Sequence, residues 1–288
     1  MSSLTTTPDE IAQSAAPTTR PADGTGSLRL TFGRVIHSEW IKLRTRRSTF
    51  YTLAGLLVTL VGFGLIAAAT ATGQVEADLG GPNSAANDPV STVLTGADLA
   101  VLVSAVFGVL VGAWEYSSGL IRTTLAAVPK RLPVLWAKSL TFAATVFPVV
   151  LVGALTVFFA GTSLLSGAGV ESASWSDPGV ARAVVGTAFY LVGIGLIGLA
   201  LGVIFRSIAG AIGTLVRGLL FLPTLASVLL PESWDSVLKY LPSNAGLAIR
   251  SVTEDPSLLS PTVGTAVFVG WVVLALVGAA VLLKRRDA

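Results

Sequence analysis

Residues 47–76 read RSTFYTLAGLLVTLVGFGLIAAATATGQVE, and nothing between Arg47 and Glu76 carries a charge. A helix that crosses a bilayer needs about 20 mostly apolar residues, because the hydrocarbon core is about 30 Å thick and each residue rises 1.5 Å. The stretch meets that requirement and predicts a span over 49–71. Outward from it, charges mark the gaps between further spans. A second is predicted over 92–114, with Asp98 as its only charge, and a third over 140–165. The fourth falls at 183–204. The fifth, at 208–230, contains Arg217 and stops at Pro231. The sixth fills 263–283 and ends in Lys284-Arg285-Arg286.

Composition agrees. Of the 288 residues 52% are hydrophobic and 12% charged, and mean hydropathy is +0.77. A soluble domain carries about 25% charged residues, so this chain has too little polar side chain to cover a water-facing surface. Its solvent is mostly lipid. With no cysteine there are no disulfides, thiolate metal sites or cysteine nucleophiles. His37 is the sole imidazole, which argues against a histidine metal site or a Ser-His relay; no metal is expected. Intramembrane proteolysis would need a Ser-His pair or paired intramembrane aspartates, and neither is available. No G-x-x-x-x-G-K-[ST] loop occurs to cradle phosphate, so the chain is not expected to be an enzyme or to bind ATP itself. Residues 1–27, rich in Thr, Ser, Ala and Pro, read as a disordered tail without the apolar run of a secretory signal. Residues 28–288 form the membrane domain.

Basic residues orient the spans. Arg29, Arg34, Lys42, Arg44, Arg46 and Arg47 precede the first. Arg122, Lys130, Arg131 and Lys138 follow the second, Arg206 follows the fourth, and the last ends in three basic residues. The intervening loops hold Glu76, Asp78, Asp88, Glu171 and Asp177. Both termini are therefore expected in the cytoplasm.

Three segments are not spans. Over 28–43, Leu28, Phe32, Val35, Ile36, Trp40 and Leu43 recur at helical spacing beside Arg34, Lys42 and Arg44. That is an amphipathic helix lying in the headgroup plane, where anionic lipid attracts its cations. It is either a plain anchor or a partner-docking element. Glu39 sits close to the apolar stripe and needs a partner, for which Arg46, Lys42 or a second protein would serve. The cytosolic loop 115–138, EYSSGLIRTTLAAVPKRLPVLWAK, exceeds an ordinary 2–8-residue helix connection. Its residues 117–128 suit a short helix ended by Pro129, with Pro133 starting the next; a surface loop is the alternative. In the outer loop 231–260, Trp234, Val237, Leu238 and Leu241 could share one face of a short helix interrupted at Pro242-Ser243-Asn244. This is either a candidate external gate dipping into the outer leaflet or a packed surface loop.

Arg217 stands near the middle of span five, where a charge costs roughly 2.5–3.5 kcal/mol on insertion scales. It should face other helices, a cavity or an acidic partner, unless the span breaks at Gly218 and the side chain snorkels. Asp98, near the outer end of span two, is expected to be wet. Gly193, Gly195, Gly198, Gly202, Gly210 and Gly213 give spans four and five small-xxx-small spacings that permit close helix contact.

The block His37-Ser38-Glu39-Trp40-Ile41-Lys42-Leu43-Arg44, with Arg47-Ser48-Thr49, resembles the start of actinobacterial ABC transporter permeases of the type-2 class. Glu115-Tyr116-Ser117-Ser118-Gly119, Ile121-Arg122-Thr123-Thr124-Leu125, Pro129-Lys130-Arg131 and Tyr240-Leu241-Pro242-Ser243-Asn244-Ala245-Gly246 continue the resemblance in the expected order. Arg217 departs from it, since an apolar or small residue is expected there. The resemblance implies a multi-pass plasma-membrane exporter subunit of all-α fold that dimerises, as homodimer or heterodimer, and binds two copies of a separate cytosolic ATPase. That partner would bind ATP and Mg; this chain would need no cofactor and no nucleic acid. Glu39, Lys42, Glu115, Tyr116, Arg122, Lys130 and Arg131 become candidate ATPase-coupling residues, with a coupling helix between helices 2 and 3. Arg217 is a candidate translocation-path or packing charge. Trp234, Leu241, Pro242 and Asn244 become a candidate re-entrant external gate. A non-transporting scaffold or immunity-type protein of the same fold, or a stand-alone secondary carrier, is the alternative; a missing repeat and a single midplane charge give the carrier little support.

Overall fold

A computed structural model describes residues 31–73, 88–117, 119, 131–229, 231, 234–252 and 257–285. All of its regular structure is helical among these residues, and six helices are long and apolar enough to cross a membrane. The chain is a multi-pass membrane protein by that measure. The 1–27 tail and the proposed 117–128 helix fall almost wholly outside the described residues. Those from Phe32 onward form one compact unit.

The amphipathic helix α1 spans Phe32–Thr45. Arg46 then adopts extended backbone, and the first span, α2, runs Arg47–Ala71. The second span starts later than its hydropathy suggests. Asp88 caps a separate short helix, α3 (Pro89–Val93), by accepting the Val90 N–H at 3.0 Å, with Pro89 at its first position. A proline there forfeits no helical hydrogen bond. After the turn at Leu94-Thr95, α4 runs Gly96–Ser117. The third span, α5, is longer than expected at Arg131–Gly167. Pro133 lies in its first turn, as anticipated, so the tail of the cytosolic loop is already helix.

The fourth span, α6 (Val180–Phe205), ends at Arg206, whose φ of 52° turns the chain sharply. Ser207 caps the next helix, α7 (Ile208–Val216), by accepting the Gly210 N–H. The fifth span is not one cylinder. A π-helical turn over Arg217–Phe221 separates α7 from α8 (Leu222–Leu229). Beyond it come α9 (Asp235–Leu238), α10 (Pro242–Arg250) and the sixth span, α11 (Pro261–Arg285).

The break in the outer segment falls before Pro242 rather than across Pro242-Ser243-Asn244. A residue preceding proline is driven out of helical geometry, and Leu241 is extended at φ −63°, ψ 147°. Proline then occupies the first position of α10.

Lipid tails are as apolar as leucine, so close packing, rather than apolar burial, must hold such helices together. The innermost pair is α4 and α6, each 67% buried over its most apolar stretch against 12% for the fifth span. Glycine makes their approach possible. A Cβ on Gly108 or Gly112 of α4 would run into the Gly195 or Leu199 carbonyl, and one on Gly198 or Gly202 of α6 into the Ala105 or Val109 carbonyl. Ser104 reinforces the seam by donating to the Leu191 carbonyl at 2.6 Å. Around this pair, α5 contributes Phe142, which packs on Phe107 at 5.2 Å between ring centroids. From α11, Phe268 packs on Tyr190 and over Gly193.

Candidate functional site

On α1 the residues that turn inward are Val35, Glu39 and Leu43, one per turn of the same face. Val35 packs with Val134 and Ala137 of α5. This leaves Phe32 and Trp40 of the expected stripe exposed on the neighbouring face. The protein-facing side of α1 is therefore shifted from the apolar stripe, because it follows Glu39.

Glu39 is 3% exposed and fully occupied. Its Oε1 accepts from Lys42 Nζ at 2.6 Å, and its Oε2 lies 2.9 Å from Lys138 Nζ. Glu115, near the end of α4, has one carboxylate oxygen shared by the same two cations. Its Oε1 is 2.8 Å from Lys42 and 3.2 Å from Lys138. Two carboxylates and two ammonium groups from α1, α4 and α5 thus alternate in one neutral cluster. Glu115 Oε2 is buried without a hydrogen-bond partner. Burial alone would lower the Lys42 pKa. Hydrogen bonding and attraction to Glu115 and Glu39 outweigh it, and the ammonium is held above its ordinary 10.5.

Two aromatic contacts flank the cluster. The Arg46 guanidinium lies over the Trp114 ring at 5.2 Å, and that of Arg206 over Tyr116 at 5.3 Å. Cation–π contacts of this kind hold a cation where its charge is partly desolvated. Trp114, Glu115 and Tyr116 are consecutive, so the end of α4 is gripped from α1, α5 and the α6–α7 turn.

A second charged site lies roughly 25 Å away along α4 at 1.5 Å per residue. Arg250, the last residue of α10, is 8% exposed and reaches Asp98 Oδ1 at 2.5 Å. Its guanidinium also lies over the Tyr190 ring at 5.3 Å, while Arg182 donates to the Ile249 carbonyl at 3.2 Å. Asp98 is partly exposed, as a wet residue should be, but it is also paired. These contacts fasten α10 to α4 and α6. Asn244 Nδ2 donates to the Leu238 carbonyl and ties α10 back to α9. Trp234 is exposed; Leu241 and Pro242 are half-buried in the chain between.

The expected coupling residues therefore divide. Glu39, Lys42 and Glu115 come together, facing inward, and Tyr116 lies beside them. Arg122 and Lys130 lie outside the described residues, and Arg131 opens α5. Arg217 heads the π-helical turn on the exposed side of the fifth span. Among the described residues no carboxylate pairs with it. At Gly218 the helix continues through the π-helical turn.

Sequence reasoning missed Lys138, Arg250 and Tyr190. In the sequence Lys138 reads only as a loop cation, although Glu115 at the end of an apolar span demands a counter-charge. Arg250 carried no local signal, because Asp98 lies 152 residues away in sequence. Among the described residues, no group of His, Asp or Glu side chains is placed to hold a metal ion. The chain matches no protein-family model and no curated protein.

Proposed function

We propose that this chain is the transmembrane permease subunit of an ATP-driven ABC exporter in the plasma membrane, energised by a separate ATPase subunit. The observation that carries the reading is the buried Glu39–Lys42–Glu115–Lys138 cluster. It joins a non-spanning amphipathic helix rigidly to the ends of two spans. Packed interiors transmit displacement instead of absorbing it, so a push on α1 or on the segment linking α4 to α5 would move those spans together.

In this reading the termini are cytoplasmic and the four clustered charges are the joint. Arg122, Lys130 and Arg131 are the residues left to meet the ATPase directly. The fifth span, poorly buried and carrying Arg217, is the surface available to a second permease subunit or to the translocation path. The α9–α10 segment, held by Asp98 and Arg250, acts as the external gate. The resemblance of the three sequence blocks to type-2 permeases supports the same assignment.

The test is to look for a Walker-type ATPase gene beside that of this chain and to reconstitute the two proteins together in vesicles. ATP hydrolysis by the complex should respond to the permease, and Arg122→Glu with Arg131→Glu should abolish that response while leaving the permease folded. Solute movement by the chain alone would overturn the proposal in favour of a secondary carrier. Failure to form any complex with the ATPase would favour a scaffold.

A further inference from the structure

At the elbow between α1 and α2 the surface holds a cavity of about 340 Å³ lined by Arg44, Thr45, Arg46, Arg47, Phe50 and Tyr51. Three of these six residues are arginines and none is acidic. The reason they converge is local. Arg46 leaves helical geometry, with φ −81° and ψ 121°, and so bends the chain between α1 and α2. Arg44 and Arg47 are exposed, and among the described residues no carboxylate bridges either one. Arg46 is braced by its contact with Trp114. The Thr45 hydroxyl donates to the Ile41 carbonyl at 2.8 Å and serves as wall. No side chain caps the first turn of α2.

The other side of the cavity is aromatic. Phe50 and Tyr51 are 72% and 71% exposed, and their rings meet edge to face at 6.1 Å. A soluble anion would need the arginines and have no use for these rings. A ligand with an anionic head and a greasy body would use both. Depth agrees with this. The elbow is where a bilayer-length helix leaves an amphipathic one, and so lies at headgroup level.

We propose that this elbow is a binding site for the phosphate headgroup of an anionic phospholipid, with Arg44, Arg46 and Arg47 on the phosphate and Phe50 and Tyr51 against the glycerol and upper acyl chain. Guanidinium forks match phosphate oxygens two at a time, which a diffuse basic surface does not achieve. The site is independent of any transport activity and of which partner energises it. It goes beyond general attraction between basic residues and the membrane, because it is a defined place with a defined stoichiometry.

Native mass spectrometry of the detergent-purified full chain, titrated with dioleoyl phosphatidylglycerol or phosphatidylcholine, tests it. The expected result is preferential retention of phosphatidylglycerol. Arg44→Gln with Arg47→Gln should weaken that retention about tenfold. Arg34→Gln with Lys284→Gln removes the same charge at exposed positions away from the cavity and should leave it nearly unchanged. Phe50→Ala with Tyr51→Ala should weaken phosphatidylglycerol retention although no charge is lost. All the substituted side chains are exposed or half-exposed, and an unchanged unfolding temperature verifies that each variant is folded. Equal losses in the two charge-removing pairs would overturn the site in favour of a diffuse field. So would displacement of the lipid by inorganic phosphate together with indifference to the aromatic substitutions, which would mark a free-anion site.

Discussion

Lys138 and Lys42 each bridge Glu39 and Glu115, so removing any member leaves the cluster with one uncompensated charge. Taking one partner from a buried ion pair costs about 3–5 kcal/mol, because the remaining charge is left desolvated. Lys138→Ala is expected to destabilise the chain by about that much, read as a lowered thermal midpoint in detergent. Lys42→Ala should cost less, since Lys42 is 32% exposed and water screens it. Lys42 also gives the cluster a pH dependence with a definite sign. Its folded pKa lies above the free value of 10.5, so its contribution is complete below pH 10.5. It is lost as pH rises through the higher folded value. Alkaline titration of the unfolding temperature should show this loss in the parent and a smaller one in Lys42→Met. That Glu39 needed a partner was legible from its place beside an apolar stripe. Which cations would supply it was not, because Lys138 approaches from a helix 99 positions away in sequence.

At the scale of elements, the α4–α6 seam rests on backbone contact, and its glycines are not equivalent to the others. Gly108→Ala would place a Cβ against the Gly195 carbonyl. Overpacking of this kind costs about 1–3 kcal/mol, and the variant should unfold at lower temperature or denaturant. Gly213 has open space around its Cβ position. Gly213→Ala should therefore be neutral or gain up to about 1 kcal/mol from helix propensity. The same thermal assay checks both. The sequence-level small-residue pattern includes Gly198, Gly202, Gly210 and Gly213 alike, and spacing alone could not separate the pair that meets α4 from the pair that does not. At the other end of α4, Asp98→Asn removes the charge facing Arg250. A loss of about 1.5–3 kcal/mol is expected for a charged hydrogen bond. Arg250→Met in the Asp98→Asn background should recover part of it, because no unpaired buried guanidinium then remains. A double-mutant cycle measures that coupling.

For the whole molecule, the positive-inside reading predicts which loops face water on which side. The native chain has no cysteine, so single cysteines can be introduced without prior removal. Ser176→Cys, in the exposed connection between α5 and α6, should react with a membrane-impermeant maleimide in intact cells. Arg285→Cys, at the end of α11, should react only after permeabilisation. The reverse pattern would invert the orientation and move the α1 cluster and the arginine elbow to the outer face.

The sequence by itself determined the number of spans, their approximate limits and the amphipathic character of α1, because hydropathy and charge act locally along the chain. It also placed Pro133 near the start of the third span, where it lies in the first turn of α5, since proline exerts its effect through its own backbone. Only the tertiary structure decided that α1 turns Glu39 inward, that Asp98 meets Arg250, and that α4 and α6 form the innermost pair. Those outcomes depend on which distant backbones come within hydrogen-bond or van der Waals reach. Hydropathy carries no information about that, because the spans are apolar around most of their circumference and lipid accepts an apolar face as readily as protein does.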